Sequence, residues 1–207
     1  MNNIDRRDAG LAYRADMTFL PEMIDCKKKL KVLNSTDPWE YDKIEEAVRE
    51  LLPNAEKPAL VLPFICEYGK HITIGKNFFA NFNCTMLDVA TITIGENCLF
   101  GPNVSLYTAG HPVHPVTRAS GYEYGKPIKI GDNCWIGGST VVLPGVSIGN
   151  NVVIGAGSVV TKDIPDNVIA VGNPCRVLRT ITEEDRRKLF KNEEIDEEAW
   201  IDICGVM

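Results

Sequence analysis

Several features are scarce or absent in this chain, and each absence narrows the range of functions. No apolar run approaches the roughly 18 residues that a membrane-spanning helix needs. Basic residues are not in excess: 22 Lys and Arg stand against 28 Asp and Glu, giving a net charge of −6. This balance argues against a nucleic-acid-binding protein, which normally carries a basic surface. The 44% of hydrophobic and 24% of charged residues are typical of a folded globular chain.

Paired cysteines and clustered histidines are also missing. The seven cysteines are scattered, odd in number and without any CxxC pair, which predicts reduced thiols and no disulfide or zinc framework. The first ten residues contain no apolar segment of the kind found in secretory signals, so we expect a cytoplasmic protein. Only three histidines are present, at 71, 111 and 114. Any histidine-based chemistry is therefore confined to a few positions.

What the chain does contain is a repeat. An apolar residue, any residue, Ile, Gly, any residue and Asn follow one another four times, starting at residues 72, 92, 128 and 146. In the last stretch, apolar residues recur at intervals of six: Ile130, Ile136, Val142, Ile148, Ile154 and Val160. A period of six fits neither a helix nor simple strand alternation. It fits short strands separated by regular corners, with one inward apolar side chain per strand.

These six-residue units predict the fold. A β-sandwich with many glycine turns is the alternative, but it would need hairpins and irregular loops between its strands. We therefore predict a mainly β structure, a parallel solenoid whose coils bury apolar surface against neighbouring coils. The spacing resembles that of hexapeptide-repeat proteins. That resemblance implies a left-handed parallel β-helix of triangular section.

The remaining segments are arranged around the solenoid. Residues 1–57 show helical spacing and are predicted to form an N-terminal helical segment, and residues 58–180 are predicted to form the β-helix. Residues 181–207 are predicted to hold a short helix, which begins at the capping pattern of Thr182 to Asp185, and a solvated acidic tail at 193–198.

One coil of the solenoid carries an insertion. Residues 107–126 lack the inward apolar residue every six positions, and loops of this length in compact domains tend to be functional. The insertion holds His111 and His114 between Gly110, Pro112 and Pro115. Imidazole has an unperturbed pKa of about 6.5 and accepts a proton from a hydroxyl near neutral pH. We interpret His111 as functional, and His114 and His71 as structural.

Several long stretches of the chain resemble the galactoside and maltose O-acetyltransferases. These stretches are AGLAYRADMTFL (9–20), ANFNCTMLD (80–88), FGPNVSLYTAGHPVH (100–114), IGDNCWIG (130–137), IGAGSVVTKDIP (154–165) and GNPCRVLR (172–179). The resemblance implies transfer of an acetyl group from acetyl-CoA to a sugar hydroxyl, with His111 as the general base. It also implies a homotrimer in which each site lies between neighbouring subunits. No metal, nucleic acid or membrane is expected as a partner.

The same resemblance implies the binding residues. On the acceptor side it assigns Asp16, Glu67 and Asp88. To acetyl-CoA it assigns Asn81, Gly138, Ala156, Thr161, Lys162, Arg176 and Arg179. Two positions depart from the family pattern, since Gly138 stands in place of a serine and Val89 in place of a second aspartate. Trp135 fits either the core or the wall of a binding groove.

Three other functions stay open at this point. An acetyltransferase acting on an antibiotic, a serine or an amino sugar would share the fold, the cosubstrate and the histidine. A metal-dependent hydratase would need three histidine ligands and an open position, whereas His71 belongs to an earlier coil than His111 and His114. A non-catalytic scaffold would not need the intact GHPVH segment at 110–114.

Overall fold

The computed structural model describes residues 1–189 and 193–206, and the predicted parallel solenoid is confirmed. Each coil contains three short strands. In chain order the strands are β2 (Asn54–Ala55), β3 (Ala59–Leu60) and β4 (Phe64–Cys66) in the first coil; β5 (Ile72–Ile74), β6 (Phe79–Ala80) and β7 (Cys84–Leu87) in the second; β8 (Ile92–Ile94), β9 (Leu99–Phe100) and β10 (Ser105–Tyr107) in the third; β13 (Ile128–Ile130), β14 (Trp135–Ile136) and β15 (Val141–Val142) in the fourth; and β16 (Ser147–Ile148), β17 (Val153–Ile154) and β18 (Val159–Val160) in the fifth.

Equivalent strands of successive coils pair in parallel and form three faces. Face one contains β2, β5, β8, β13 and β16; face two contains β3, β6, β9, β14 and β17; face three contains β4, β7, β10, β15 and β18. A partial sixth coil adds β19 (Val168–Val171) to face two, and β20 (Arg176–Thr180) pairs with β19 in the antiparallel direction. The insertion lies between β10 and β13 and contains β11 (Ala109–Gly110), α4 (Pro115–Ala119) and β12 (Tyr122–Gly125).

The interior of the solenoid contains the residues that the six-residue period selects. All six predicted inward positions between Ile130 and Val160 are at most 3% exposed. The small residues four positions later are buried as well, among them Cys134, Thr140 and Ser158. Small side chains fit the corners of a narrow prism, because the backbone of the adjacent coil leaves little space there.

The asparagines of the repeat have a structural role of their own. Asn77, Asn97, Asn133, Asn151 and Asn167 adopt positive φ angles of 55° to 58°, a region that asparagine tolerates better than most residues. Their side-chain amides bond to one another from coil to coil at 2.8–3.0 Å. The same residue therefore makes the turn and joins adjacent coils along one corner.

Helices close the first coil. The N-terminal segment contains α1 (Asn3–Asp8), β1 (Tyr13–Arg14), a 3₁₀ turn (Met17–Phe19), α2 (Leu20–Asn34) and α3 (Tyr41–Leu51). Cys26 and Leu33 of α2 and Val48 of α3 are buried in the same apolar cluster as the solenoid interior. Parallel pairing begins at Asn54, four residues before the boundary we predicted at 58.

The C-terminal segment differs from the prediction. The capping box at Thr182 and Asp185 forms, but it starts only a five-residue 3₁₀ helix (Glu183–Arg187). The α-helix of this segment, α5 (Glu197–Val206), begins inside the stretch predicted as a solvated acidic tail. The apolar residues Ala199, Trp200, Ile201 and Ile203 follow the acidic run directly. Together with that run they make a sequence with both acidic and apolar positions, which favours a helix over an unstructured tail. Among the described residues, no helix is both long and apolar enough to cross a bilayer.

Candidate active site

The insertion folds back onto the N-terminal segment. Strand β12 pairs with β11 and also, in the antiparallel direction, with β1, so that Tyr13 lies opposite Glu123. Gly110 lets the ring of Tyr124 pack closely here, because a Cβ at this position would lie 2.5 Å from that ring and the ring would have to move. His111 follows β11 directly. A three-stranded sheet, and not a free loop, therefore sets the position of His111.

His111 lies beside a carboxylate that the sequence did not single out. Its Nδ1 is 3.9 Å from Oε2 of Glu123, which is longer than a hydrogen bond and within ion-pair range when the imidazole carries a proton. The other oxygen of Glu123 accepts a hydrogen bond of 2.6 Å from the hydroxyl of Tyr13. The His111 side chain is 61% exposed and that of Glu123 only 19%. Glu123 is thus a fixed support behind an accessible imidazole.

Tyr13 is the second residue that sequence reasoning missed. It is buried, and burial together with the hydrogen bond to Glu123 raises the pKa of its phenol. It therefore stays a donor to Glu123 across the physiological pH range. A signal for Glu123 was present, because it is the single acidic residue between positions 107 and 126. No comparable signal marked Tyr13, since its partner lies 110 positions away.

Glu67 lies half-buried at the corner after β4. Burial raises the pKa of Glu67, and the negative charges of Asp88 and Glu123 raise it further. The carboxyl groups of Glu67 and Glu123 thus interact electrostatically, and Glu123 lies beside His111. No group of three or more His, Cys, Asp or Glu side chains suited to hold a metal ion occurs in residues 1–189 and 193–206.

Asp88 lies beneath this corner and is fully buried. Its Oδ1 accepts the backbone N–H groups of Glu67 at 2.9 Å and Tyr68 at 2.8 Å. Its main-chain oxygen is 2.6 Å from Nδ1 of His71, whose ring packs against Tyr68. Asp88 and His71 are therefore built into the corner that carries Glu67, and the side chain of Asp88 has no surface open to an acceptor.

Asp16 lies in the exposed turn just after β1. It caps the 3₁₀ turn by accepting the N–H of Thr18 at 2.9 Å, and its second oxygen accepts the amide of Asn3 at 2.6 Å. The hydrogen bonds from Thr18, and then that from Asn3, hold the pKa of Asp16 below its usual value. Asp16 is thus an oriented and ionised carboxylate on the same segment as Tyr13.

The N-terminal segment is anchored by an aromatic cluster. Tyr13, Phe19, Tyr68 and Val89 pack together and are buried. The buried guanidinium of Arg7 lies 5.1 Å from the ring of Phe19 and 4.9 Å from that of Tyr68, and it bonds to Glu22 and Asp8. Val89, where the family pattern has an aspartate, thus supports this segment by packing.

Five of the seven predicted acetyl-CoA residues fall on two edges of the prism, and the other two, Arg176 and Arg179, lie on β20. We call the corner between face two and face three the far edge, and the corner between face three and the next face one the loop edge, because the insertion leaves from it. Asn81, Gly138 and Ala156 lie on the far edge in the second, fourth and fifth coils, and the N–H of Gly157 bonds to the carbonyl of Gly138 at 2.9 Å. Thr161 and Lys162 are exposed on the loop edge.

The far edge leaves little room at Gly138. A Cβ at this position would lie 3.1 to 3.3 Å from atoms of Pro102 in the preceding coil, so a serine would need that proline to shift. The glycine in place of serine is therefore consistent with its neighbour. Trp135 lies on the outer surface of face two with 56% of its area exposed, and so is not a core residue.

The two arginines of β20 are in different situations. Arg179 makes two hydrogen bonds to Asp185, at 2.6 and 2.7 Å. Arg176 bonds to the carbonyl of Cys175 at 2.7 Å and is otherwise exposed. His114, at the start of α4, is exposed and makes no capping hydrogen bond.

Comparison with known proteins gives consistent results. The family models "Bacterial transferase hexapeptide (six repeats)" and "Hexapeptide repeat of succinyl-transferase" match residues 127–162 and 91–110. The galactoside O-acetyltransferase of Escherichia coli K12 is 45% identical over 93% of this chain and 96% of its own length. A crystal structure of galactoside acetyltransferase in complex with coenzyme A has a TM-score of 0.90 at 44% identity, covering 95% of this chain and all of that one. A maltose O-acetyltransferase from Clostridium difficile 630 has a TM-score of 0.86 at 48% identity, over 88% and 99% of the two chains.

Proposed function

Because the chain belongs to the galactoside and maltose O-acetyltransferase family of hexapeptide-repeat enzymes, we propose that it transfers the acetyl group of acetyl-CoA to a hydroxyl group of a sugar. The observation that carries the proposal is the placement of His111. A three-stranded sheet presents its imidazole to solvent while Glu123 supports it from behind. A scaffold protein would have no use for this arrangement.

In the proposed mechanism His111 is the general base. With Nδ1 facing Glu123, its Nε2 is the free nitrogen that accepts the proton of the sugar hydroxyl. The hydroxyl oxygen attacks the thioester carbonyl and forms a tetrahedral intermediate. When this intermediate collapses, the carbon–sulfur bond breaks and His111 returns its proton to the departing thiolate. Glu123 stabilises the imidazolium that exists between these two steps.

The acceptor binds, in this proposal, between the N-terminal segment and the loop edge. Asp16 is ionised and oriented, and Glu67 lies across the corner from Glu123. Carboxylates accept hydrogen bonds from several hydroxyls of one sugar ring. Acidic acceptors are disfavoured here by like charge. Asp88 contributes beneath Glu67 and not through its own surface.

Acetyl-CoA is proposed to bind along face three. Asn81, Gly138 and Ala156 border one side of this face and Thr161 and Lys162 the other. Lys162 and Arg176 are the exposed cations for the phosphates of CoA. Arg179 joins them only after release from Asp185.

We further propose that the active unit is a homotrimer. The outer surface of face two carries an apolar row in register, Phe79, Leu99, Trp135, Val153 and Ile169. The outer surface of face one carries polar residues in the equivalent row, such as Thr73, Thr93 and Lys129. Leu99 and Trp135 in the middle of this row are at least half exposed, and an apolar surface of this kind is typical of a subunit interface. Light scattering checks this proposal, and a stable active monomer of 22.9 kDa would contradict it.

The free thiols and the cosubstrate support a cytoplasmic location, since all seven cysteines are unpaired.

An acceptor screen tests the proposed function. Purified protein is incubated with acetyl-CoA and one acceptor at a time, and the release of CoA thiol is followed. Maltose, glucose and a galactoside form the first group; an amino sugar, serine and an aromatic antibiotic form the second. We expect turnover with the first group and its loss in His111→Ala. Preference for a second-group acceptor by an order of magnitude would overturn the sugar assignment.

A further inference from the structure

Asp88 binds the corner that carries Glu67 through three contacts. Its Oδ1 accepts the N–H groups of Glu67 and Tyr68, and its main-chain oxygen bonds to His71. These contacts join the loop edge of the second coil to that of the first. The backbone of Glu67 is therefore fixed from below by a single residue.

A clamp of this kind does not require a carboxylate. On another corner of the prism, Asn150 accepts the N–H of Asp132 at 2.9 Å, while Asp132 and Asp166 do the same for Glu96 and Asn150 at 2.8 Å. Asparagine and aspartate are interchangeable for this bond, and the two aspartates are exposed there. Asp88 in contrast is fully buried, where a charge is costly.

The second carboxyl oxygen of Asp88 is not compensated by a hydrogen bond. Oδ2 is buried and has no hydrogen-bond partner among the described residues. An unpaired buried polar atom is destabilising, and more so when it is charged. An asparagine could accept the same two N–H groups without a charge, so the clamp alone does not account for a carboxylate at this position.

The carboxyl of Asp88 acts on two titratable neighbours, the Glu67 side chain and the buried thiol of Cys66. Asp88 raises the pKa of Glu67, after the larger contribution of burial. Other groups around Glu67 are Glu123 from the insertion, which also raises the pKa, and Lys27 from α2, which lowers it. The negative charge of Glu67 in turn raises the pKa of three neighbouring groups, the side chains of Tyr13, Cys66 and Tyr68.

We propose that Asp88 is a positioning residue for Glu67: its clamp fixes the backbone from which the Glu67 side chain projects, and its buried carboxyl shapes the electrostatic environment of that side chain. The inference rests on the proposed function in so far as Glu67 faces the acceptor. The effect of Asp88 on Glu67 is independent of which acceptor the enzyme uses.

The test measures the titration of Glu67 directly. Glutamate carboxyl carbons are labelled with ¹³C and followed by NMR against pH, and the Glu67 signal is identified by its absence in Glu67→Gln. Asp88→Asn keeps the oxygen that accepts both N–H groups but removes the charge. We expect the Glu67 titration to move to lower pH in this variant. In Asp166→Asn, the matched exposed corner, we expect no shift.

The activity assay adds a second readout. In the pH profile of kcat/KM, Glu67→Gln identifies the limb that depends on Glu67, because that limb is lost in this variant. In Asp88→Asn the same limb should move to lower pH, as the NMR titration does. The KM for acetyl-CoA should not change. If Asp88→Asn does not fold, Asp88→Ser offers a second neutral acceptor for the same measurement. A Glu67 titration that stays at the wild-type pH in the folded neutral variant overturns the inference. Absence of sugar turnover with a shifted titration would instead contradict only the proposed function.

Discussion

Two regions of this molecule follow different rules. In the coils from residue 128 to 160, every sixth residue is apolar and buried, and each strand pairs with the equivalent strand one coil away. At the loop edge the order breaks: an insertion pairs with a strand near the N-terminus, and polar groups are buried at Asp88 and Arg7. The regular region provides stability through repetition. The irregular region places charged groups close together. This arrangement lowers the stability of the fold, and it assembles the groups of the candidate active site.

Replacing His111 by alanine should show the largest difference between the two regions, because it should lower activity without lowering stability. Loss of a positioned general base lowers kcat by about 10²–10⁴-fold. The side chain is 61% exposed, so the thermal midpoint should not change. Steady-state kinetics and thermal unfolding check both expectations. His114→Ala is the matched control, and equal losses of activity in both folded variants would contradict the assignment.

The opposite pattern is expected for Ile136→Ala. Ile136 is fully buried in the middle of the regular coils, and truncating such a residue lowers the free energy of unfolding by about 2–5 kcal/mol. Below the unfolding transition, the KM values for both substrates should stay near wild type. Denaturant unfolding measures the loss, with the exposed Lys129→Ala as control. A large loss of kcat in folded Ile136→Ala would show that the two regions are not independent.

Glu123→Gln tests the contact between the insertion and the N-terminal segment. The glutamine keeps the shape and still accepts from Tyr13, but it removes the charge beside His111. Opposite unit charges about 4 Å apart attract each other by about 1 kcal/mol in water and about 4 kcal/mol near a protein surface, so kcat should fall by roughly one to two orders of magnitude. Tyr13→Phe keeps the charge and should lower kcat less than Glu123→Gln does. The reverse order would mean that Tyr13, and not the carboxylate, supports the imidazole.

Asn133 measures what the corner contributes to the regular coils. Asn133→Gly loses the amide bonds to its neighbours, at about 0.5–1.5 kcal/mol, but accepts the positive φ angle without strain. Asn133→Ala loses the same bonds and adds about 1 kcal/mol of left-handed strain. Alanine should therefore be the less stable of the two in urea unfolding. Equal stabilities would mean that strain at this corner is relieved elsewhere.

The smallest effect is expected at the Arg179 and Asp185 pair. Arg179, and next the N–H of Thr182, lower the pKa of Asp185 to about 2, whereas an unfolded aspartate titrates near about 3.9. Because the folded pKa is the lower one, the stabilisation is present above pH of about 4 and lost as pH falls toward 2. The thermal midpoint of Asp185→Asn should lie slightly below wild type at pH 7 and equal it at pH 2. In 0.5 M salt the difference at pH 7 should shrink, since the pair is exposed.

The candidate site could be predicted only in part. His111 was found from its position in a long insertion between Gly and Pro, because an interruption of a strict repeat is visible in one sequence. The places of Asp16, Glu67 and the acetyl-CoA residues depended on resemblance to a family. Glu123 and Tyr13 were missed, although Glu123 was the lone acidic residue of the insertion. The burial of Asp88 was also unforeseen, because nothing in the segment MLDVA distinguishes an inward aspartate from an outward one.

The sequence by itself determined the solenoid. In the solenoid each inward residue contacts its equivalents one coil away. Because the same contact recurs in every coil, it leaves a period of six in the sequence, and this period can be recognised without a structure. Only the tertiary structure decided the chemistry at the loop edge. Tyr13 meets Glu123 across 110 positions, and Asp88 reaches back 20 and 21 positions to two backbone amides. Each of these contacts occurs once, between segments of different kinds, so no periodicity encodes it and only the folded chain brings the partners together.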